Sequence, residues 1–102
     1  MDDVTGSPQI TDNPEASRFE ITSGGHLAEL RYRRRADRLV LLHTEVPAEL
    51  EGHGIGGSLV AAAVDQAIRE NLTVVPVCPF AHSWLQRHPD VAARVTIDWG
   101  SD

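Results

Sequence analysis

Residues 50–58 read Leu50-Glu51-Gly52-His53-Gly54-Ile55-Gly56-Gly57-Ser58, and an alanine-rich helical pattern follows directly. Four glycines within six positions separate a strand-like run from this helix. The first turn of a helix carries unpaired N–H groups and the positive end of the helix dipole, and glycine leaves those groups accessible to an anion. The stretch therefore predicts a phosphate-binding turn. The alternative is a flexible loop whose glycines only supply positive φ angles.

Length and composition describe one small domain. The chain has 102 residues, a formal net charge of −6 and 41% hydrophobic residues. The acidic balance argues against a dedicated nucleic-acid binder, and no apolar run approaches the ~20 residues of a membrane span. A single cysteine excludes an intrachain disulfide, and the acidic N-terminus lacks a secretory signal. We expect a cytoplasmic protein with neither nucleic acid nor a membrane as partner, and either a monomer or a weak dimer.

The first 16 residues differ in composition from the rest of the chain. Residues 1–16 contain glycine, two prolines and several Asp, Ser and Thr residues, which is typical of a mobile tail. From Phe19 onward, apolar and polar residues alternate or recur at helical spacing. We therefore predict a flexible N-terminal tail over 1–16 and a single folded domain over 17–102.

Three strands and a helix are predicted next. Alternation over 19–22, 26–35 and 38–46 indicates an antiparallel meander, and the run Leu39-Val40-Leu41-Leu42 suggests a central strand covered on both faces. A helix pattern runs from about 54 to 71. The apolar stripe of this helix consists of Leu59, Val60, Ala63, Val64, Ala67 and Ile68.

A β-branched run over 73–78 follows this helix, and short helices are expected over 80–87 and 91–94. A strand–helix–strand crossover is right-handed, so the last strand should lie parallel to the third strand of the meander. The fold class is α/β (α+β), with the meander, a crossover helix, a parallel strand and short C-terminal helices.

Pro76 lies inside this last strand and cannot donate to a sheet ladder. We interpret it as the point where the third and last strands separate, which would leave backbone groups near Glu45 and Val46 free to pair with an amide-bearing ligand. A proline at an exposed sheet edge is the alternative. Ligands of open α/β sheets bind at the carboxyl ends of parallel strands, beside a helix N-terminus.

Together these motifs resemble the GNAT superfamily of N-acetyltransferases. The superfamily signature, Gln or Arg followed by x-x-Gly-x-Gly/Ala, falls on residues 51–56. The segments 43–47, 75–80 and His88-Pro89 resemble its small single-domain YjdJ-type branch. The resemblance covers about residues 18–95. It implies an acetyl-CoA cofactor whose pyrophosphate is held by the glycine turn and whose pantetheine arm pairs with the third strand of the meander. The implied binding residues are Val46, His53, Gly54, Ile55, Gly56, Gly57 and Ser58.

The chain departs from the superfamily pattern at two places. Glu51 stands where the signature has Gln or Arg, and a carboxylate there would repel a pyrophosphate unless it points to solvent. Many members use a tyrosine in the short helix to protonate the departing thiolate, but the only tyrosine here, Tyr32, lies in the meander. Trp84 occupies the short helix and cannot serve as an acid.

Three residues are therefore catalytic candidates. Cys78 ends the last strand and could act as the acid or accept the acetyl group, although a free cysteine is more often a small buried hydrophobe. Glu45 could deprotonate an amine, or be a solvated carboxylate at a strand end. His43 stands two residues before Glu45, so both side chains should lie on the same face of the strand. The alternative is that His43 has only a structural role.

The remaining expectations concern metals, charges and the acceptor. The five histidines show no metal-ligand spacing, so no metal is predicted. The arginine run over 31–38 is interpreted as a solvated face. The acceptor is an unknown amine at an open site, suited to a protein amine or a polyamine. A non-catalytic CoA-binding or protein-interaction module is the alternative function.

Overall fold

The computed structural model describes residues 10–100, which form one five-stranded sheet with helices packed on one face. The strands lie in the order β1-β2-β3-β4-β5, and all neighbours are antiparallel except β4 and β5. The elements are β1 (Ile10–Asn13), β2 (Arg18–Ser23), β3 (His26–Arg35), β4 (Arg38–Glu45), a 3-10 turn (Ala48–Leu50), α1 (Ile55–Glu70), β5 (Thr73–Pro76), α2 (Pro79–Arg87) and α3 (Pro89–Ala92).

The predicted α/β architecture is confirmed, and the meander has one strand more than expected. β2, β3 and β4 form the predicted antiparallel hairpins, and β5 joins β4 in parallel after the α1 crossover. The prediction of a mobile tail is wrong for residues 10–16, because β1 pairs with β2 from Ile10 to Asn13. Hydrogen bonds rather than a buried apolar face hold β1, so the spacing of apolar residues did not predict this strand. Residues 1–9 lie outside the described residues.

Side-chain contacts from β1 explain how this short edge strand is held. Asp12 accepts a hydrogen bond of 2.5 Å from the hydroxyl of Tyr32, and the side chain of Asn13 donates to Glu20 at 3.0 Å. Tyr32 is only 4% exposed. Its burial, followed by the hydrogen bond to the Asp12 carboxylate, raises the pKa of Tyr32 to about 12.

The prediction that β4 is covered on both faces is wrong. Leu39 and Leu41 are fully buried against the helices, whereas Leu42 is 38% exposed. No helix among residues 10–100 covers the second face, which we call the open face. On that face, Arg18 contacts the carboxylates of Glu20 and Glu29 at 2.5 and 2.9 Å. The Arg18 hydrogen bond also holds the pKa of Glu20 below its usual range.

A bulge in β4 changes which residues share a face. Arg31 pairs with His43 and Tyr32 pairs with Leu41, so Leu42 is an extra residue in the ladder. Beyond the bulge, Thr44 lies opposite Leu30 on the helix-covered face. His43 and Glu45 consequently lie on the open face.

The two ends of α1 are capped differently, and no side chain of residues 10–100 caps its N-terminus. Gly54 precedes the helix in the left-handed region, and Asn71 ends it with φ 58° and ψ 46°, as C-caps often do. After β5 the chain turns into α2, which begins at Pro79, where its fixed φ suits a first helical residue. The segment after α3 returns to the sheet, and Ile97 forms a parallel bridge with Val74. No helix within residues 10–100 has the length and apolarity needed to cross a membrane.

Candidate functional site

An open cleft of about 630 Å³ lies between the end of β4, the start of α1 and one side of α2. β4 supplies one wall, the glycine turn the second and the aromatic side chains of α2 the third. The lining residues are His43, Thr44, Glu45, Val46, Leu50, Glu51, Gly52, Gly54, Ile55, Gly56, Gly57, Phe80 and Trp84.

The wall formed by β4 is a strand edge without a partner. β4 and β5 pair only as far as Leu41 and Pro76, and the Cys78 N–H then closes the junction on the Leu41 carbonyl at 2.9 Å. β4 continues to Glu45, and no strand within residues 10–100 pairs with this end on the β5 side. The two strands therefore separate at Pro76, and the cleft opens in the gap.

The four glycines of the turn serve two different purposes. Gly52 and Gly54 adopt φ values of 85° and 72°, and a Cβ at either position would meet nothing within 4 Å. These two glycines supply backbone conformations that other residues rarely adopt. A Cβ at Gly56 would lie 2.7 Å from the ring of Phe80, and one at Gly57 would lie 2.3 Å from Trp84 Nε1. These two allow α2 to approach the first turn of α1.

The first turn of α1 presents free donors toward the cleft. The first bond of the helix runs from the Ser58 N–H to the Gly54 carbonyl at 3.0 Å. The N–H groups of Ile55, Gly56 and Gly57 have no acceptor among residues 10–100. Such donors, together with the helix dipole, favour an anion at this position.

The structure places five of the seven predicted binding residues in the lining of the cleft: Val46, Gly54, Ile55, Gly56 and Gly57. His53 faces a neighbouring cavity that His26 and Glu49 also line. The Ser58 hydroxyl donates to the Gly54 carbonyl at 3.1 Å and does not line the cleft.

Two of the three catalytic candidates lie together. His43 Nε2 and Glu45 Oε1 are 3.5 Å apart at the edge of the cleft, with side chains 61% and 68% exposed. Cys78 is only 3% exposed and does not line the cleft. Its Sγ lies 3.3 Å from the hydroxyl of Thr44, and either atom can donate that hydrogen bond. Thr44 therefore separates Cys78 from the cleft.

Sequence reasoning missed the parts played by Thr44, Phe80 and Trp84. Thr44 faces the cleft because of the bulge, and nothing in the local pattern of β4 predicts a bulge. Phe80 and Trp84 stand four residues apart, so they share one face of α2. Both the aromatic pair and the two glycines, Gly56 and Gly57, can be seen in the sequence. Their contact could not be predicted, because it depends on how α2 packs against α1.

The charge around the cleft is acidic. Glu45 and Glu51 are lining residues, and the lining contains neither lysine nor arginine. Within residues 10–100, no group of three or more His, Cys, Asp and Glu side chains could hold a metal ion. An anion in this cleft would therefore be held by N–H donors rather than by a fixed cation.

Comparison with known proteins agrees with this geometry. A family described as GCN5-related N-acetyl-transferase matches residues 18–95. The chain also resembles the NMR solution structure of a GCN5-like N-acetyltransferase candidate from Staphylococcus aureus. The two are 27% identical with a TM-score of 0.69, over 92% of this chain and 93% of the other.

The family match includes β2 to β5, α1, α2 and the whole lining of the cleft. The fold is that of a minimal N-acetyltransferase domain. The chain belongs to the GCN5-related N-acetyltransferase family, which confirms the resemblance drawn from the glycine turn and Pro76.

Proposed function

We propose that this protein binds acetyl-CoA in the cleft and transfers the acetyl group to an amine. The observation that carries the proposal is the pairing of a free β4 edge with unpaired N–H groups of α1 across one cleft. Acetyl-CoA has a chain of amides followed by a diphosphate, so its chemistry matches both walls. The family membership supports the same reaction class.

The residues present fit this cofactor, and each wall has a separate task. The backbone of Glu45 and Val46 would pair with the pantetheine amides as an added strand. The N–H groups of Ile55, Gly56 and Gly57 would bind the diphosphate at the positive end of the α1 dipole. The bound cofactor supplies an activated acetyl group, and the protein contributes mainly orientation and hydrogen-bond donors.

Glu45 is the residue proposed to take a proton from the amine, directly or through one water. It lies at the edge of the cleft, and His43 stands 3.5 Å away to orient the carboxylate or receive the proton from it. Cys78 is proposed as a source of a proton for the leaving thiolate. Because Cys78 is buried, it would reach the cleft only through the Thr44 hydroxyl.

The acceptor is proposed to be an exposed amine, on a protein or a polyamine. The exposed side chains of His43 and Glu45 support an open acceptor site rather than an enclosed pocket. Glu45 also gives this edge of the cleft a negative charge that would attract an ammonium group. We place the reaction in the cytoplasm, where the free thiol of Cys78 would stay reduced.

A non-catalytic CoA-binding module is the second candidate. Glu51 lies in the lining, and the cleft-facing residues of α2 are Phe80 and Trp84, neither of which can donate a proton as an acid. In this alternative the same residues bind the cofactor, but Glu45 and Cys78 have no chemical task.

Turnover separates the two candidates. Acetyl-CoA is incubated with a panel of amines, including spermidine and lysine-containing peptides, and released thiol is followed. For an enzyme we expect Glu45→Gln and Cys78→Ala to bind CoA as the wild type does and to lose at least tenfold in kcat, in line with a lost acid or base. Equal rates in the wild type and both variants, at the level of spontaneous hydrolysis, would favour the binding module.

A further inference from the structure

The cleft poses an electrostatic problem for the proposed diphosphate site, and this inference rests on the proposed function. Glu45 and Glu51 line the cleft, whereas lysine and arginine do not. A diphosphate there would be repelled by two carboxylates and stabilised only by neutral donors. Any side-chain N–H aimed at the first turn of α1 would therefore matter more than in a cationic site.

Trp84 lies beside this turn and is packed against His88. Its indole stacks on the ring of His88, with centroids 3.9 Å apart and planes 15° from parallel. His88 Nδ1 lies 2.8 Å from the Trp84 carbonyl oxygen, which fixes the histidine ring on the tryptophan. The indole therefore has a defined orientation relative to α2.

The edge of the indole that faces α1 is its N–H. A Cβ built on Gly57 would lie 2.3 Å from Nε1, and 3.0 and 3.2 Å from the bonded carbons Cε2 and Cδ1. The nitrogen is the nearest of the three atoms, so the N–H vertex of the ring points toward the first turn. Glycine at 57 is what allows this approach.

This indole N–H has no acceptor among residues 10–100. Trp84 is half-buried, and a tryptophan N–H that is removed from water usually finds a hydrogen-bond partner. Here the donor stands beside Gly57, in the first turn of α1, where the backbone N–H groups also lack an acceptor and the helix dipole is positive. Neighbouring donors that lack an acceptor favour an anion with several oxygen atoms.

We propose that Trp84 is a binding residue, whose indole N–H donates a hydrogen bond to the diphosphate of CoA. The signature has Gln or Arg, both side-chain donors, at the position of Glu51. We assign to the Trp84 indole the side-chain donation that Glu51 cannot make. The role is one of binding and orientation, since an indole is a donor only. Trp84 thereby compensates in part for the carboxylate of Glu51.

The indole N–H resonances test this assignment directly in the wild-type protein. The chain has two tryptophans, and Trp99 lies outside the cleft, where its ring forms a T-shaped pair with His82. A Trp99→Phe variant assigns the two signals in a ¹⁵N–¹H spectrum. We expect CoA to move the Trp84 indole proton downfield and to leave the Trp99 signal in place. Pantetheine, which lacks the diphosphate, should leave the Trp84 signal within a small fraction of that shift.

Affinity gives the second measurement. Trp84→Phe keeps an aromatic ring against His88 and Gly57 but removes the donor. We expect it to weaken CoA binding by roughly tenfold or more, the loss of one hydrogen bond to a charged group. Trp99→Phe is the matched control and should bind as the wild type does. Affinity for pantetheine, followed by chemical-shift titration, should be equal in all three proteins.

The outcomes separate this inference from the proposed function. A CoA-specific shift of the Trp84 signal with a CoA-specific loss in Trp84→Phe supports the inference. If the wild type binds CoA but the Trp84 signal stays in place, or if Trp84→Phe weakens CoA and pantetheine equally, the inference is overturned and the proposed function stands. If the folded wild type binds no CoA, both are overturned.

Discussion

At the scale of single residues, the glycine turn shows how one motif can combine two physical requirements. Gly52 and Gly54 are required by positive φ, and Gly56 and Gly57 are required by the aromatic rings of α2. The sequence predicted a helix N-terminus open to an anion, and the structure has that arrangement. The sequence could not reveal that half of the glycines accommodate packing, because the partners lie more than twenty residues away along the chain.

The contact between Gly57 and Trp84 leads to the first prediction at this scale. In Gly57→Ala the new Cβ would lie 2.3 Å from Trp84 Nε1, so the ring or the helix must shift. We expect a loss of about 1–3 kcal/mol in the free energy of unfolding, as for other overpacked contacts. Urea denaturation measures it.

A double-mutant cycle provides the control for this prediction. In a Trp84→Ala background the same Gly57→Ala change meets no ring, and alanine is the better helix former by about 1 kcal/mol. The substitution should then be neutral or stabilising. An equal loss of stability in both backgrounds would contradict the packing role assigned to Gly57.

Tyr32 provides a prediction about pH. Burial and Asp12 raise its pKa to about 12, compared with about 10 in an unfolded chain. The neutral phenol is thus favoured in the folded state. Its contribution to stability is fully present below pH ~10 and is lost as the pH rises from ~10 through ~12. We expect Tyr32→Phe to be less sensitive to pH over this window, measured by urea denaturation. An identical alkaline loss in both proteins would contradict the assignment.

At the scale of elements, β4 decides how the site is built. Its bulge at Leu42 exchanges the two faces of the strand, so that Thr44 faces the helices while His43 and Glu45 face the open side. Its pairing with β5 ends at Pro76 and leaves the cleft wall free. The separation at the proline could be predicted from the sequence, because proline removes a ladder donor. The bulge could not be predicted, since every residue of the run Leu39-Val40-Leu41-Leu42 is apolar and the pattern does not show where the side chains change faces.

Substitutions of the two adjacent leucines of β4 test this account. Leu41 is fully buried and Leu42 is 38% exposed at the bulge. We expect Leu41→Ala to lower the free energy of unfolding by about 2–5 kcal/mol, and Leu42→Ala by less than about 1 kcal/mol. The two variants control for each other because they remove the same atoms from neighbouring positions. Equal losses would mean that the second face of the sheet is covered.

At the scale of the whole molecule, the chain is an N-acetyltransferase domain whose residues 10–100 form one sheet, one long α-helix and two short ones. Helices cover one face, and a network of Arg18, Glu20 and Glu29 occupies part of the other. The cleft lies at the edge where these two faces meet. This arrangement explains how about ninety described residues bring together a strand edge, a helix N-terminus and an exposed carboxylate.

Most of this architecture could be predicted from the sequence, because it depends on the spacing of apolar residues and on the glycines and prolines that end the elements. The alternation in β2 and β3, the apolar stripe of α1 and the breaks at glycine and proline carry that information. β1 was not predicted because polar side chains hold it: Asp12 accepts a hydrogen bond from Tyr32, and Asn13 donates one to Glu20. The sequence left open whether Cys78 is buried or reaches the cleft, because that depends on Thr44, a side chain from another strand.

The most direct measurement is calorimetry of acetyl-CoA binding to the wild type, Gly54→Val and Gly25→Val. Gly54 and Gly25 have φ values of 72° and 81°, and neither would meet an atom within 4 Å of a new Cβ, so both variants introduce similar strain. Gly54 alone lines the cleft, since Gly25 lies in the turn between β2 and β3. We expect micromolar binding (Kd about 10⁻⁶ M, or roughly −8 kcal/mol) by the wild type and by Gly25→Val, and none by a folded Gly54→Val. A folded wild type that binds no acetyl-CoA, or a Gly54→Val variant that binds it equally well, would contradict the account.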